Sequence, residues 1–163
     1  MKRSTQLIFS AVLAATLSGA AFAQGTGKCV NGALTVTHVG VGNRTVGALS
    51  CKLVVIENAG VGDINVGSVT ATELRVTLSG TGTVNMGGGS TESSRYTLAG
   101  AGDIKAVKLT SKLTTVAISG MGNAEVNATT TLDTDISGVV DVRYTGQPKL
   151  TNKSSGVGSV KPM

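Results

Sequence analysis

Gly60-Val61-Gly62-Asp63-Ile64-Asn65-Val66 decides the fold, because it recurs. Its leading glycine reappears at Gly40, Gly80, Gly100 and Gly120 in steps of 20 residues, then at Gly138 and Gly156 in steps of 18. A second glycine completes a G-x-G in six of these seven units, and only Gly138-Val139-Val140 lacks it. A small polar residue follows each time: Asn43, Asp63, Thr83, Asp103, Asn123, Asp141 and Ser159. Self-similarity at a fixed period of this length is the sequence mark of a solenoid.

Working outward from the glycines, the flanking residues alternate as half-buried strands do. Before each G-x-G the inward positions are Leu74/Val76/Leu78, Ser94/Tyr96/Leu98, Thr114/Val116/Ile118 and Leu132/Thr134/Ile136. After it come Ile64/Val66, Val84/Met86, Ile104/Ala106, Ala124/Val126 and Val142/Tyr144. A third, weaker segment carries Leu49/Cys51, Val69/Ala71 and Leu109/Ser111, and the shortened later units lose two residues there. Each coil then offers a thin apolar ring that only stacking can bury. The expectation is an all-β, single-stranded parallel β-helix, a β-solenoid of about 20 residues per coil and about seven coils, roughly 34 Å long. The general crossover preference makes it right-handed. A β-sandwich of hairpins is the competing reading, but hairpins do not demand identical residues at identical spacing. The glycines are expected to supply φ > 0 at the corners. The Asn or Asp that follows is expected to bond its own backbone and support the turn.

The chain divides into residues 1–23, 24–33 and 34–163. Lys2 and Arg3, the apolar run Leu7 to Leu17 and the A-x-A at Ala21-Phe22-Ala23 form a signal peptide, with the mature chain starting at Gln24. The run is too short for a retained transmembrane helix, and no other stretch is apolar enough to span a bilayer. Residues 24–33 read as an N-terminal cap or linker, and residues 34–163 as the solenoid. Cys29 and Cys51 are the only cysteines. An even count in an exported chain favours a disulfide, here joining neighbouring coils. Two buried free thiols are the alternative.

Cleavage leaves 140 residues with 12 basic and 9 acidic side chains, enough for one domain and only mildly basic. Without basic clusters or aromatics to stack on bases, nucleic acid is excluded as a partner. The inward columns turn polar at both ends, at His38 and Asn58 and again at Thr134, Asn152 and Ser154, as a solenoid protecting its exposed ends would arrange. His38, the sole histidine, reads as structural.

The repeated G-x-G-D-I/V and the closing S-G-V-V-D-V-R-Y-T-G-Q-P-K-L…S-S-G-V-G-S-V-K-P (Ser137 to Pro162) resemble the auto-transporter adhesin, head GIN domain family. The resemblance covers about Leu34 to Lys161, and it departs from the family at Val140, in the small size and in the short N-terminal arm. It implies an exported bacterial β-solenoid without an established activity, and it carries over no functional residues.

Enzymatic chemistry finds no foothold. The carboxylates are scattered, and Asp133/Asp135, the one close pair, read as a solvated face. G-V-G-D and G-A-G-D miss the spacing and the period of calcium-binding nonapeptide repeats. The glycines miss the phosphate fingerprint, and no nucleophile–base constellation is present. No catalytic residue, metal or cofactor is expected. Three classes of function remain: an adhesion or binding module, an assembly module stacking on itself or on an envelope protein, and an ice- or mineral-binding solenoid. The third needs a regular outward threonine ladder, and Thr35/Thr37 start one that Val55/Glu57, Arg75/Thr77, Arg95/Thr97 and Asp133/Asp135 break. The candidate binding residues are Arg75, Arg95, Thr77 and Thr97, equivalent positions one coil apart, for an acidic polysaccharide. Glu57 and Glu73 are the candidate internal counter-ions. The expected address is the periplasm, the medium or the cell surface.

Overall fold

A computed structural model describes residues 29–163. The proposed signal peptide and cleavage site lie outside the described residues. Ten strands make up the described chain: β1 (Ala33–His38), β2 (Arg44–Asn58), β3 (Ile64–Leu78), β4 (Thr81–Met86), β5 (Gly89–Leu98), β6 (Ala101–Ile118), β7 (Met121–Ile136), β8 (Val139–Thr145), β9 (Lys149–Ser154) and β10 (Val157–Pro162). Every ladder between them is parallel. That excludes hairpins between successive G-x-G units and establishes the β-solenoid. The strand segments preceding G-x-G stack as seven rungs, in β1, β2, β3, β5, β6, β7 and β9, which makes about six turns.

The register repeats the sequence period. Val54 pairs with Leu74, Leu74 with Ser94 and Ser94 with Thr114, each 20 residues on. The step falls to 18 through two irregularities in the β6–β7 ladder, between Ala106 and Thr110 and between Ser111 and Leu113. The missing residues therefore come from the third segment, and the two strands flanking the G-x-G corner keep their registers.

The expected inward residues form the core. Ile64, Leu74, Leu78, Leu98, Ile104 and Leu132 are fully buried, with Tyr96 the largest side chain among them. Burial pushes the Tyr96 phenol well above its ordinary range, against a smaller opposing hydrogen bond from Ser94.

From the second corner onward the corner glycines pass too close to the preceding coil for a Cβ, and the two of a pair differ in φ. Gly62, the second of its pair, has φ 138°, a backbone state closed to other residues. Gly60, the first, takes an ordinary φ, but a Cβ there would run into the backbone of Gly40 one coil below. From Gly60 onward the leading glycines thus serve close approach, whereas Gly40, at φ 111° with open space where a Cβ would stand, has the positive φ expected from the sequence. At Val140 the second glycine is missing, the backbone is not left-handed, and the valine side chain is buried in the core instead.

The polar residue after the corner also acts differently from the expectation. Its side chain reaches to the next coil rather than to its own backbone. The Asp63 N–H donates to Asn43 Oδ1 at 2.9 Å, the Thr83 N–H to Asp63 Oδ1 at 2.8 Å and the Asn123 N–H to Asp103 Oδ1 at 2.9 Å. Asp141 accepts from both the N–H and the hydroxyl of Ser159, at 3.1 and 2.8 Å. These bonds run between coils and tie the corner column together.

The N-terminal end is stapled as expected. Cys29 and Cys51 form a disulfide with Cα atoms 5.8 Å apart. Between them Asn31 and Gly32, at φ 53° and 80°, make the two-residue turn that such a pair favours, closed by bonds between Val30 and Ala33. Asn58, read as an exposed polar end, is fully buried one rung in. Its amide donates to the Gly62 carbonyl at 2.9 Å and accepts from the Gly60 N–H at 3.2 Å, so it braces the corner. His38 stacks against it from the preceding coil, half-buried, with its Nε2 unpartnered among the described residues. At the far end Thr134 donates to Asn152 at 2.7 Å, and Asn152 and Ser154 are exposed.

Candidate functional site

The strands before G-x-G present a flat outward face, three residues wide on each rung. Strand β3 contributes Glu73, Arg75 and Thr77; β5 contributes Ser93, Arg95 and Thr97. The ladder pairs Glu73 with Ser93, Arg75 with Arg95 and Thr77 with Thr97. The four residues singled out from the sequence therefore form one two-by-two block, about 4.8 Å between rungs. Both arginines are exposed and both threonines half-buried.

The counter-ion question is settled asymmetrically. Arg75 Nε donates to Glu73 Oε1 at 2.7 Å, along its own strand. Glu57, the other expected partner, makes no ion pair among the described residues, and neither does Arg95; the second pair is Lys112 with Glu92 at 3.4 Å. Two stacked guanidinium groups repel, and Glu73 offsets one of them. Apart from Arg75, the outward positions next to Arg95 along its strand and on the following rung carry Ser93, Thr97 and Thr115, which are hydroxyl groups without charge.

Asp133 and Asp135 are exposed on one rung, beside a shallow depression of about 320 Å³ that Thr115, Thr151 and Lys153 also line. Among the described residues no three His, Cys, Asp or Glu side chains converge as metal ligands would.

Two surface features escaped the sequence reading. Ser50, Thr70, Ser90 and Thr110 form an exposed hydroxyl column on the third segment, in register from β2 through β6 and continued by Asn127 and Thr145. The 20-residue step that relates the corner glycines also relates Ser50, Thr70, Ser90 and Thr110 in the sequence. The residue between the two glycines forms the second feature. Val41, Val61, Met121, Val139 and Val157 project 52–88% exposed along the corner, an apolar ridge interrupted by Thr81 and Ala101.

Solved structures share this architecture. A putative adhesin from Parabacteroides distasonis superposes with a TM-score of 0.70 at 22% identity, covering 80% of this chain and 58% of its own length. A putative adhesin from Bacteroides fragilis gives 0.69 at 28% identity, covering 78% and 60%. The chain thus spans about three fifths of either protein. No curated protein matches the sequence. Residues 39–148 match the family described as "Putative auto-transporter adhesin, head GIN domain". That match takes in six of the seven corners, the arginine face and all but the outermost rungs, and by it the chain belongs to this family.

Proposed function

We propose that the chain is a non-enzymatic, adhesin-like binding module exported to the bacterial surface or envelope, holding an acidic glycan on the flat face around Arg75 and Arg95. The observation that carries this reading is the in-register block of two arginines and two threonines on adjacent rungs. Guanidinium groups grip carboxylate or sulfate groups, and the threonines bond sugar hydroxyls. A rigid sheet holds these groups in place before the ligand arrives, which lowers the ordering cost of binding. The family membership and the fold of the adhesin neighbours support the adhesion class. The export signal read from Met1 to Ala23 supports the address.

The competing reading, end-to-end stacking, meets an unfavourable edge on the last described coil. Strands β9 and β10 each lack a partner on one edge among the described residues, and they carry Lys149, Lys153, Lys161 and Pro162 there. Lysine and proline on an edge strand are the means by which proteins discourage such pairing. The test is a glycan array at low and physiological salt with wild type and the Arg75→Ala/Arg95→Ala double variant. Wild type should bind acidic glycans in a salt-sensitive way, and the variant should lose them with its melting temperature unchanged. A wild type that binds no acidic glycan at low salt, or sediments as concentration-dependent polymers instead, refutes the reading.

A further inference from the structure

The two arginine rungs are not equivalent, and their difference points to the chemistry of the ligand. On the first rung Glu73, Arg75 and Thr77 stand in line, and the Glu73 carboxylate fills the Nε side of Arg75 at 2.7 Å. On the next rung the same three positions read Ser93, Arg95 and Thr97. Serine stands where the carboxylate stood, and the guanidinium has no ionic partner among the described residues. The carboxylate closest along the chain, Glu92, is already committed to Lys112, and Glu73, diagonal to Arg95 across the ladder, is committed to Arg75. The ladder also holds Arg95 beside Arg75, so the uncompensated charge sits against a like charge.

We infer that Arg95 with Ser93 is a carboxylate subsite, and that the Glu73–Arg75 pair shows how it is filled. A uronate-type sugar brings its own carboxylate to the Nε side of Arg95, into the space that Ser93 leaves open. Its ring hydroxyls then face Ser93, Thr97 and Thr115. A planar carboxylate suits the fork of an arginine, and charge-assisted bonds of this kind are the strong ones. Glu73 is the internal competitor. While it occupies Arg75 the face binds one acidic group, and removing its charge opens a second subsite one coil away. This inference rests on the glycan-binding reading above and adds to it the identity of the acid and the residue that takes it.

Three immobilised polymers test it at low salt: a polyuronate, a sulfated dextran and neutral dextran. Four proteins are compared, namely wild type, Ser93→Glu, Arg95→Gln and Glu73→Gln, each checked for an unchanged melting temperature. Wild type should prefer the polyuronate. Ser93→Glu rebuilds the neighbouring rung's ion pair, so it fills the subsite from within and should weaken polyuronate binding roughly tenfold or more. Arg95→Gln should lose as much without adding a charge, which keeps the test valid if the glutamate disturbs the strand. Glu73→Gln should bind several-fold more tightly. Wild-type affinity in both Ser93→Glu and Arg95→Gln overturns the inference. Sulfated dextran bound in preference to the polyuronate overturns the carboxylate assignment and leaves the acidic-glycan platform standing. Binding to neither acidic polymer overturns both.

Discussion

Replacing Ile104 tests the register of the whole coil. Its side chain is fully buried and stacks between Val84 and Ala124 of the neighbouring coils. Truncating a buried isoleucine to alanine costs about 2–5 kcal/mol, the transfer free energy of the lost carbons plus the cavity they leave. Here the cavity term stays large. Ala124 on the following coil is already small, and the parallel ladders on both sides fix the backbone spacing, so the walls cannot close in. We expect about 3–4 kcal/mol for Ile104→Ala, or about 10 °C in melting temperature for a chain of this size. Ile104→Asp removes the same contacts and leaves an unpaired carboxylate in a core one side chain thick, so it should not fold. Lys105→Ala is the control, since Lys105 is exposed on the same strand, and it should stay within about 0.5 kcal/mol. Urea unfolding followed by far-ultraviolet circular dichroism measures all three. An Ile104→Ala loss below about 1 kcal/mol, or a Lys105→Ala loss as large as the isoleucine's, would place Ile104 on the outer face and reverse the alternation of the strand.

Two further outcomes follow from the ends of the solenoid. Replacing Cys29 and Cys51 by serine should lower stability by about 3 kcal/mol in the chain-entropy model, given the 22-residue separation; denaturant midpoints that coincide with the wild type would leave the bond no stabilising role. The Ser159 hydroxyl, then its N–H, then the charges of Lys161 and Arg143 hold the Asp141 carboxyl below its ordinary value. Its contribution should therefore be present above the usual aspartate pKa of about 3.9 and be lost as pH falls through the lower folded value. A carboxyl-carbon NMR titration of Asp141 with its midpoint at or above about 3.9 would refute this.

The fold was legible because its signal is redundant. Seven corners and three alternating segments all specify one stacking, and each inward position read from Leu74, Val84 or Ile104 is buried in the structure. What the residues could not disclose was which atoms meet between coils. The first glycine of a corner looks the same in sequence whether it serves φ or close approach, and only the backbone of Gly40 beneath Gly60 decides. Likewise an Asp after a corner can turn back or reach forward, and here Asp63 reaches forward to Thr83. The arginine block was legible from its period, but its asymmetry was not. Glu73 and Glu57 were equal candidates until the strand brought one of them alone onto Arg75.

The ladder offsets also have a consequence for how the chain folds. The strand-to-strand pairs of the solenoid join residues only 17 to 20 positions apart. No strand waits for a partner from the other end of the chain, so the slow search that handicaps most β-proteins is absent. Each finished coil is a template for the next, and growth can nucleate at any coil and propagate. During growth the unpaired edge always belongs to the newest coil. On the last described coil the N–H of Met163 pairs back to Tyr144, so the alternating backbone turns the nitrogen of Pro162 towards the open edge. A nitrogen without hydrogen offers the next strand nothing to hold.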